Sequence, residues 1–415
     1  MTAENGVIGS IMINPDCLPN VRAILTEDDF QTEQGKLFFH TVCKMSDEGK
    51  PIDPITVLES GIDEQWIAQL VELTPTPALV CTYAEQMKRE VQSRALKAMF
   101  SRLAESEDEP SALITEAKTG LEEISFSGSG GLVTQEEAME HFGEHLAAAT
   151  SGAVLSITTG FPSVDNILGK GMVKEGLYIV AARPGVGKTS FGLIAADLAA
   201  KKHRVLFVSL EMSETQIMAR RYANVSAVGI TPLLYGTLDP KDMDKLHEAS
   251  SALRGRQMFL SNRTGVTVAD IEVMCRSCGA ELVVIDYLGL IQGEGQSIYE
   301  RTTKISGDLK RMARSLKIPV LCLAQLNRTS ESRSDKHPTM SDLRDSGAIE
   351  QDADAILLLH RPGLYMDEQP SGSQAQDFEI QIAKNRHGPT GKVVLTWYAR
   401  NGRFQDEKGM TNSWL

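Results

Sequence analysis

From residue 181 to 191 the chain reads AARPGVGKTSF, a glycine-bearing turn that closes on Lys188 and Thr189. Gly185 and Gly187 let the backbone bend so that successive amides face one anion, and a helix starting near Lys188 would add its positive N-terminal end. Arg183, Pro184, Gly185, Val186, Gly187, Lys188, Thr189 and Ser190 would then wrap the phosphates of ATP or GTP. Lys188 would meet the β/γ oxygens, and the Thr189 hydroxyl would ligate Mg²⁺. Ala182 occupies the place of the pattern's usual first glycine. A methyl group fits there if the backbone keeps to a region open to L-residues.

Side chains at the ends of apolar runs supply the rest of a hydrolytic site. VLFVSLE ends at Glu211, LVVID at Asp286 and LCLAQ at Gln325. Asp286 could hold the water shell of the magnesium, Glu211 could act as general base on the attacking water, and Gln325 could sense the γ-phosphate. A lone carboxylate at a strand end serves equally well as a cap for the next helix; a phosphate loop on a neighbouring strand favours catalysis. Hydrolysis also needs positive charge around the transferring phosphate. Far down the chain, AKNRHGPTG places Lys384 and Arg386 at alternate positions, hence on one face of a strand end. They read either as solvated turn residues or as an arginine finger supplied in trans with a second cation beside it.

The elements that must position these groups are apolar, β-branched runs at 177–181, 204–210, 282–286 and 319–325. Such runs suit strands buried on both faces, and helical segments between them imply parallel strands joined by right-handed crossovers. Runs at 354–360, 377–384 and 392–398 add strands, the last two set antiparallel. The expected architecture is an α/β nucleotide-binding domain with a mainly parallel central sheet over 153–415. Residues 1–104 read differently, with apolar positions at three-to-four spacing such as Val7, Ile8, Ile11 and Met12, or Leu37, Phe38, Val42 and Met45. A small all-α docking or assembly domain is expected there. Between them, 105–152 carries SEDEPS and SFSGSGG, compositions of solvated, flexible backbone. Amphipathic helices are expected within this linker at 110–124 and 134–149, the second entered by TQEE at capping-box spacing. Its apolar stripe must be buried on its own domain or on a neighbouring subunit.

Composition sets the outer bounds. A chain of 415 residues, 42% hydrophobic, supports two or three cores. No run of about 18 apolar residues and no basic-then-apolar leader is seen, so a soluble, cytoplasmic protein without a membrane partner is expected. The 6 cysteines are scattered, which favours reduced thiols over a disulfide framework. Cys275 and Cys278 form a CxxC, but no second pair completes a zinc site, and two side chains on one helix is the simpler reading. A net charge of -13 argues against a protein that coats nucleic acid, while leaving room for a narrow basic channel.

Taken in order and spacing, TGFPSVDNILGKGMVKEGLYIVAARPGVGKTSF, VLFVSLEMSETQIMARR, LVVIDYLGLI, PVLCLAQLNR, DLRDSGAIEQDADAILLLHR and AKNRHGPTGKVVLTW resemble the DnaB-type replicative DNA helicases, with their RecA-like hexameric core. The resemblance is strong over about 158–405, and a small residue in place of the first glycine is a family trait. It is weaker at the N-terminus, where AENGVIGSIM is an irregular version of the first helix. The resemblance implies a ring-shaped homohexamer that hydrolyses ATP with Mg²⁺, encircles single-stranded DNA and travels 5′ to 3′. It also implies an N-terminal collar that meets primase, a linker helix docked on the adjacent ATPase domain, and a helicase loader as partner. Residue by residue, Lys188 and Thr189 would hold phosphate and Mg²⁺, Glu211 would be the base, Asp286 the metal-side acid, Gln325 the link from nucleotide to DNA loops, and Arg386 the finger with Lys384 beside it. The DNA-contacting loop would lie at 342–347, with Arg344 and the amides near Asp345 and Gly347 gripping phosphates. A recombinase-like filament ATPase and a nucleotide-gated replisome scaffold are the alternatives.

Overall fold

A computed structural model describes residues 2–106, 108–109, 113, 116–117, 119–121, 124, 133–151, 156–327, 335–343, 347–365 and 375–407. The chain forms two compact units, 1–146 and 147–415.

The first unit is helical, with helices Ala3–Ile13, Leu18–Arg22, Glu33–Asp47, Pro54–Leu58, Glu64–Leu73 and Val80–Glu105. The apolar stripe of the first helix is buried through Val7, Ile8, Ile11 and Met12. On Glu33–Asp47 the buried positions include Phe38, Val42 and Met45, spaced by four and three, while Leu37 falls off that stripe and is exposed. The irregular Asn5-Gly6 has a packing reason. A Cβ on Gly6 would stand 2.8 Å from the Tyr83 ring, so glycine lets the last helix close against the first. Glu4 is buried and accepts hydrogen bonds from the Gln31 and Thr32 amides, anchoring the entry to Glu33–Asp47.

Lys88 and Asp29 form a buried pair, Nζ lying 2.9 and 2.8 Å from the two carboxylate oxygens. Asp29 also accepts from the Thr26 amide at 2.7 Å. Asp29→Ala leaves an ammonium buried without its counter-charge and is expected to lower the unfolding free energy by about 3–5 kcal/mol. Guanidinium titration reads this directly, and an unchanged midpoint would show that the pair contributes nothing.

Sequence composition marks 105–131 as linker, but part of it folds back on the long helix. Arg102 pairs with Glu116 at 2.6 Å, and a Cβ on Gly120 would stand 2.6 Å from Met99 Sδ. The expected capping box is present at the start of the helix Gln135–Thr150. The Thr134 amide donates to Glu137 and the Glu137 amide to Thr134 Oγ1. Those Thr134 donors hold the Glu137 carboxyl below its usual range. No described residue of this helix is buried, and Met139, Phe142 and Leu146 are exposed.

The second unit is built on a nine-stranded sheet and a small hairpin. The hairpin joins β1 (Ser156–Ile157) and β2 (Met172–Val173). The sheet contains β3 (Leu177–Ala182), β4 (Val205–Ser209), β5 (Met258–Ser261), β6 (Leu282–Asp286), β7 (Val320–Gln325), β8 (Ala355–His360), β9 (Ala375–Asn385), β10 (Gly391–Tyr398) and β11 (Arg403–Gln405). Their order is β11-β10-β9-β8-β3-β7-β6-β4-β5. The pairings from β8 through β3, β7, β6 and β4 to β5 are parallel, and β9, β10 and β11 close the other side antiparallel.

Alternation along each central strand feeds two cores. Tyr178, Val180 and Ala182 join one with Phe191, Leu193 and Ile194 from the helix Lys188–Ala199. Leu177, Ile179 and Ala181 join the other with Ile305, Leu309 and Met312 from the helix Ile298–Leu316. Burial on both faces explains why these strands read as unbroken apolar runs. Among the described residues, no helix is long and apolar enough to cross a membrane.

Candidate nucleotide site

Because the central strands are parallel, their C-terminal ends lie along one sheet edge. Ala182 pairs with Gln325 across β3 and β7, and Ser209 pairs with Asp286 across β4 and β6. The phosphate loop, Glu211, Asp286 and Gln325 therefore meet at that edge, as the sequence leads one to expect. Gly187 caps the helix Lys188–Ala199 with φ +125°, and Gly185 has φ +76°. Both angles are strained for any residue with a Cβ. A side chain on Gly187 would also crowd Phe378 at 3.3 Å.

A cavity of about 430 Å³ opens here, lined by Arg183, Pro184, Gly185, Gly187, Lys188, Thr189, Ser190, Glu211, Gln325 and others. That volume lies within the roughly 300–1,000 Å³ of small-molecule sites. Val186 differs from its neighbours. Its side chain is in the core and its amide donates to the Arg183 carbonyl at 3.3 Å, so it holds the turn together instead of lining the cavity. Arg183 donates to the Leu326 carbonyl at 2.7 Å, which ties the loop to the end of β7.

Lys188 Nζ stands 3.4 Å from Asp286 Oδ1 and 4.1 Å from the centroid of the Tyr287 ring. The peptide bond between Asp286 and Tyr287 is cis. Both carboxylate oxygens of Asp286 are buried and accept no hydrogen bond, so Lys188 is an ion-pair neighbour without hydrogen-bond geometry. Buried carboxylate oxygens lacking donors favour a bound cation. Asp286 is fully buried behind Lys188, which lines the cavity together with Thr189, and a carboxylate and a hydroxyl so placed are donors that fit Mg²⁺.

Arg220 also lines the cavity and was not assigned from sequence. It projects from the helix Glu214–Ser226 to within 3.5 Å of Ser190 Oγ. Burial pushes its pKa down, opposed by the charges of Asp286 and Glu211. The neighbouring Arg221 takes the opposite course into a buried pair with Asp197 at 2.7 Å, which fastens this helix to Lys188–Ala199. Gln216, Arg361 and Trp397 also line the cavity. A second cavity of about 360 Å³ shares Gln325 with the first and is lined further by Tyr287, Leu326, Leu343 and Ile349. Gln325 thus stands between the phosphate loop and the residues that flank 344–346.

Lys384 and Arg386 are elsewhere. β9 runs antiparallel to β8, and its end lies beside Asp354 and the start of β3. Arg386 donates to Asp354 Oδ1 and to the Gln351 carbonyl, each at 3.3 Å, while Lys384 Nζ donates to the carbonyls of Glu350 and Gln351. Arg386 lies in the turn just past β9, so strand alternation does not apply to it; the two cations meet instead at the Gln351 carbonyl, at the opposite edge from the phosphate loop. The six residues of β3 at about 3.3 Å each put some 20 Å of strand between them. Burial, then the Arg386 charge, pushes the Lys384 pKa down. Asp354 holds this edge together, accepting from the Leu177 amide at 2.7 Å and from Lys310 at 2.6 Å.

Arg344 and Asp345 lie outside the described residues. Gly347 opens the helix Gly347–Asp352 and nothing lies within 4 Å of where its Cβ would be. Asp342 is buried, accepts from the Thr339 amide at 2.8 Å and receives the Asn327 amide on its carbonyl at 2.9 Å, fixing the approach to 344–346. The CxxC thiols have no nucleophilic poise. Burial raises the pKa of both, Cys275 to about 12, and they share the helix Val268–Cys278.

Fold and site together define a RecA-like phosphate-loop nucleoside triphosphatase. The profile of the DnaB-like helicase C terminal domain matches residues 156–406, and that of the DnaB-like helicase N terminal domain matches 1–89. The replicative DNA helicase DnaB of Geobacillus stearothermophilus is 34% identical over 97% of this chain and 93% of its own length. The replicative DNA helicase DnaC of Bacillus subtilis (strain 168) is 32% identical with the same coverage. A solved DnaB-like replicative helicase, described with its interactions with primase, aligns at TM-score 0.75 and 26% identity over 97% of this chain and 99% of that one. A second solved structure, described as an ATPase domain, aligns at TM-score 0.60 and 31% identity, covering 66% of this chain and 98% of its own. The chain belongs to the DnaB-like helicases, and its activity is that of an ATP-dependent DNA helicase.

Proposed function

We propose that copies of this chain assemble as a ring-shaped homohexamer around one strand of DNA, travel 5′ to 3′ and open the duplex at a replication fork, in the cytoplasm. The observation that carries the reading is the division of the site between two sheet edges. Lys188, Glu211, Asp286 and Gln325 stand at one edge and Arg386 and Lys384 at the other, which supports a reading in which a neighbour's second edge completes each first edge.

The substrate is ATP, held at its β- and γ-phosphates by the loop amides, Lys188 and Arg220. Thr189 and Asp286 would hold Mg²⁺, which neutralises charge on those phosphates when bound. Glu211 takes the proton of the attacking water, and Gln325 passes the occupancy of the cavity toward 344–346. The segments 1–104, 105–152 and 153–415 serve as primase-meeting collar, linker with its docking helix, and motor. A loader opens the ring. Strand displacement on forked DNA with ATP tests the reading, together with electron micrographs. Closed rings with displacement support it, whereas open filaments would favour the recombinase-like alternative.

Arg344 is assigned to the DNA phosphates. Arg344→Ala is expected to weaken single-stranded DNA binding and to reduce the salt slope by somewhat less than about one unit, because one phosphate contact is lost. DNA-independent ATPase should persist. An unchanged affinity across a salt titration would move the grip elsewhere.

A further inference from the structure

Away from the phosphate loop, one group of side chains has the chemistry of a metal site. His360 ends β8 and stands opposite Glu379 in the β8–β9 register. His337, on the segment 335–339, lays its ring against His360 with centroids 4.4 Å apart. Its Nε2 is 2.9 Å from Glu379 Oε2. One ligating atom from each of the three lies within 4.8 Å of the other two, and among the described residues no other His, Cys, Asp or Glu trio is so arranged.

Two details of the surroundings favour a cation. His337 Nδ1 lies 2.8 Å from the Asp335 carbonyl, a contact only an N–H can make. Its Nε2 faces a carboxylate oxygen at 2.9 Å, so an imidazole nitrogen and a carboxylate oxygen converge on one place. The other oxygen of Glu379 is held by Lys392 Nζ at 2.9 Å, which orients the carboxylate as an outer-shell partner does, while the Asp335 carbonyl orients the imidazole. Ligands at about 2.0–2.2 Å from a tetrahedral zinc stand roughly 3.3–3.5 Å from one another; the His337–Glu379 contact of 2.9 Å is shorter than that, so ligation requires side-chain rotations that open it while the trio stays within 4.8 Å.

We propose that His337, His360 and Glu379 bind a divalent transition-metal ion, with zinc the best match to two imidazoles and one carboxylate. Three protein ligands leave a fourth position for water. The ion would fasten the segment 335–343 to the end of β8 and to β9, the same sheet region that carries His360 beside the cavity-lining Arg361. It would be distinct from the Mg²⁺ site at Asp286, because two of its three donors are imidazoles and all three come from other segments of the chain.

The test uses untagged full-length protein without nucleotide, titrated with Co²⁺ and followed by its visible absorption, then with Zn²⁺ in competition. One Co²⁺ per chain is expected, with the intense bands of a four-coordinate ion, displaced by Zn²⁺. His337→Gln and Glu379→Gln should each lower the affinity more than about tenfold, since even outer-shell changes cost 10–100-fold. His337 is half-exposed, so its variant should melt at the wild-type temperature without metal, and Zn²⁺ should raise the midpoint of the wild type alone. Co²⁺ uptake that is unchanged in both variants would overturn the assignment. So would the absence of any uptake by the wild type, which would leave the trio as a hydrogen-bonded His337–Glu379 contact.

Discussion

Lys188→Ala is expected to bring ATP hydrolysis to background and to weaken nucleotide binding, whereas Glu211→Gln should keep binding and lose turnover by about 10²–10⁴-fold. The difference follows from where the two charges sit. Lys188 lies within the cavity, 12% exposed at its side chain, against the buried Asp286 carboxylate. Removing its ammonium takes away the cation that meets the phosphates and leaves Asp286 buried without its neighbour. Glu211 is exposed just beyond β4, on the rim of the same cavity, where it can reach a water but anchors no phosphate. Phosphate release and titration with a fluorescent nucleotide separate the two effects. Normal turnover in Glu211→Gln would remove it as the base.

The parallel strands could be read from sequence because both their faces are buried. LYIVAA and LVVID have every residue inside, so hydrophobicity alone marks them. β5 could not be read in this way. Its residues MFLS are only partly buried beside β4, and the three residues of β11 are too short to show a pattern. The fold-back at Glu116 and Gly120 was hidden for a different reason. Polar, flexible composition says that a segment can be solvated, but it carries no sign of a particular ion pair with Arg102 or of contact with Met99.

The site divides in the same manner. Glu211, Asp286 and Gln325 were legible because a strand end fixes where the next side chain points. Arg220 was not, since MARR offers two adjacent arginines and only the packed helix decides between them. Arg221 turns to Asp197 and Arg220 to the cavity. His337, His360 and Glu379 belong to three separate segments, and no spacing along the chain announces them.

Arg386 is expected to act on the nucleotide of a neighbouring copy, and its loss should lower turnover by about 10³–10⁵-fold, the contribution of trans arginine fingers. Within one chain it is too far away, because the full length of β3 separates its edge from the phosphate loop. Its aim is set by Asp354 and the Gln351 carbonyl, and half of its side chain remains exposed to meet another surface. Arg386→Ala should therefore bind ATP normally, since its own phosphate loop is untouched, and still leave the adjoining site slow. Mixing it with Lys188→Ala subunits gives the decisive reading. Neither pure assembly should hydrolyse ATP, but mixed rings contain interfaces that join an intact Lys188 to an intact Arg386. Those interfaces should recover part of the activity if sites fire without strict coordination among all subunits. Recovery in the mixture with none in either parent establishes catalysis across the interface. Wild-type turnover by Arg386→Ala alone, in assemblies verified as hexamers, would return Arg386 to a structural role at the Asp354 edge.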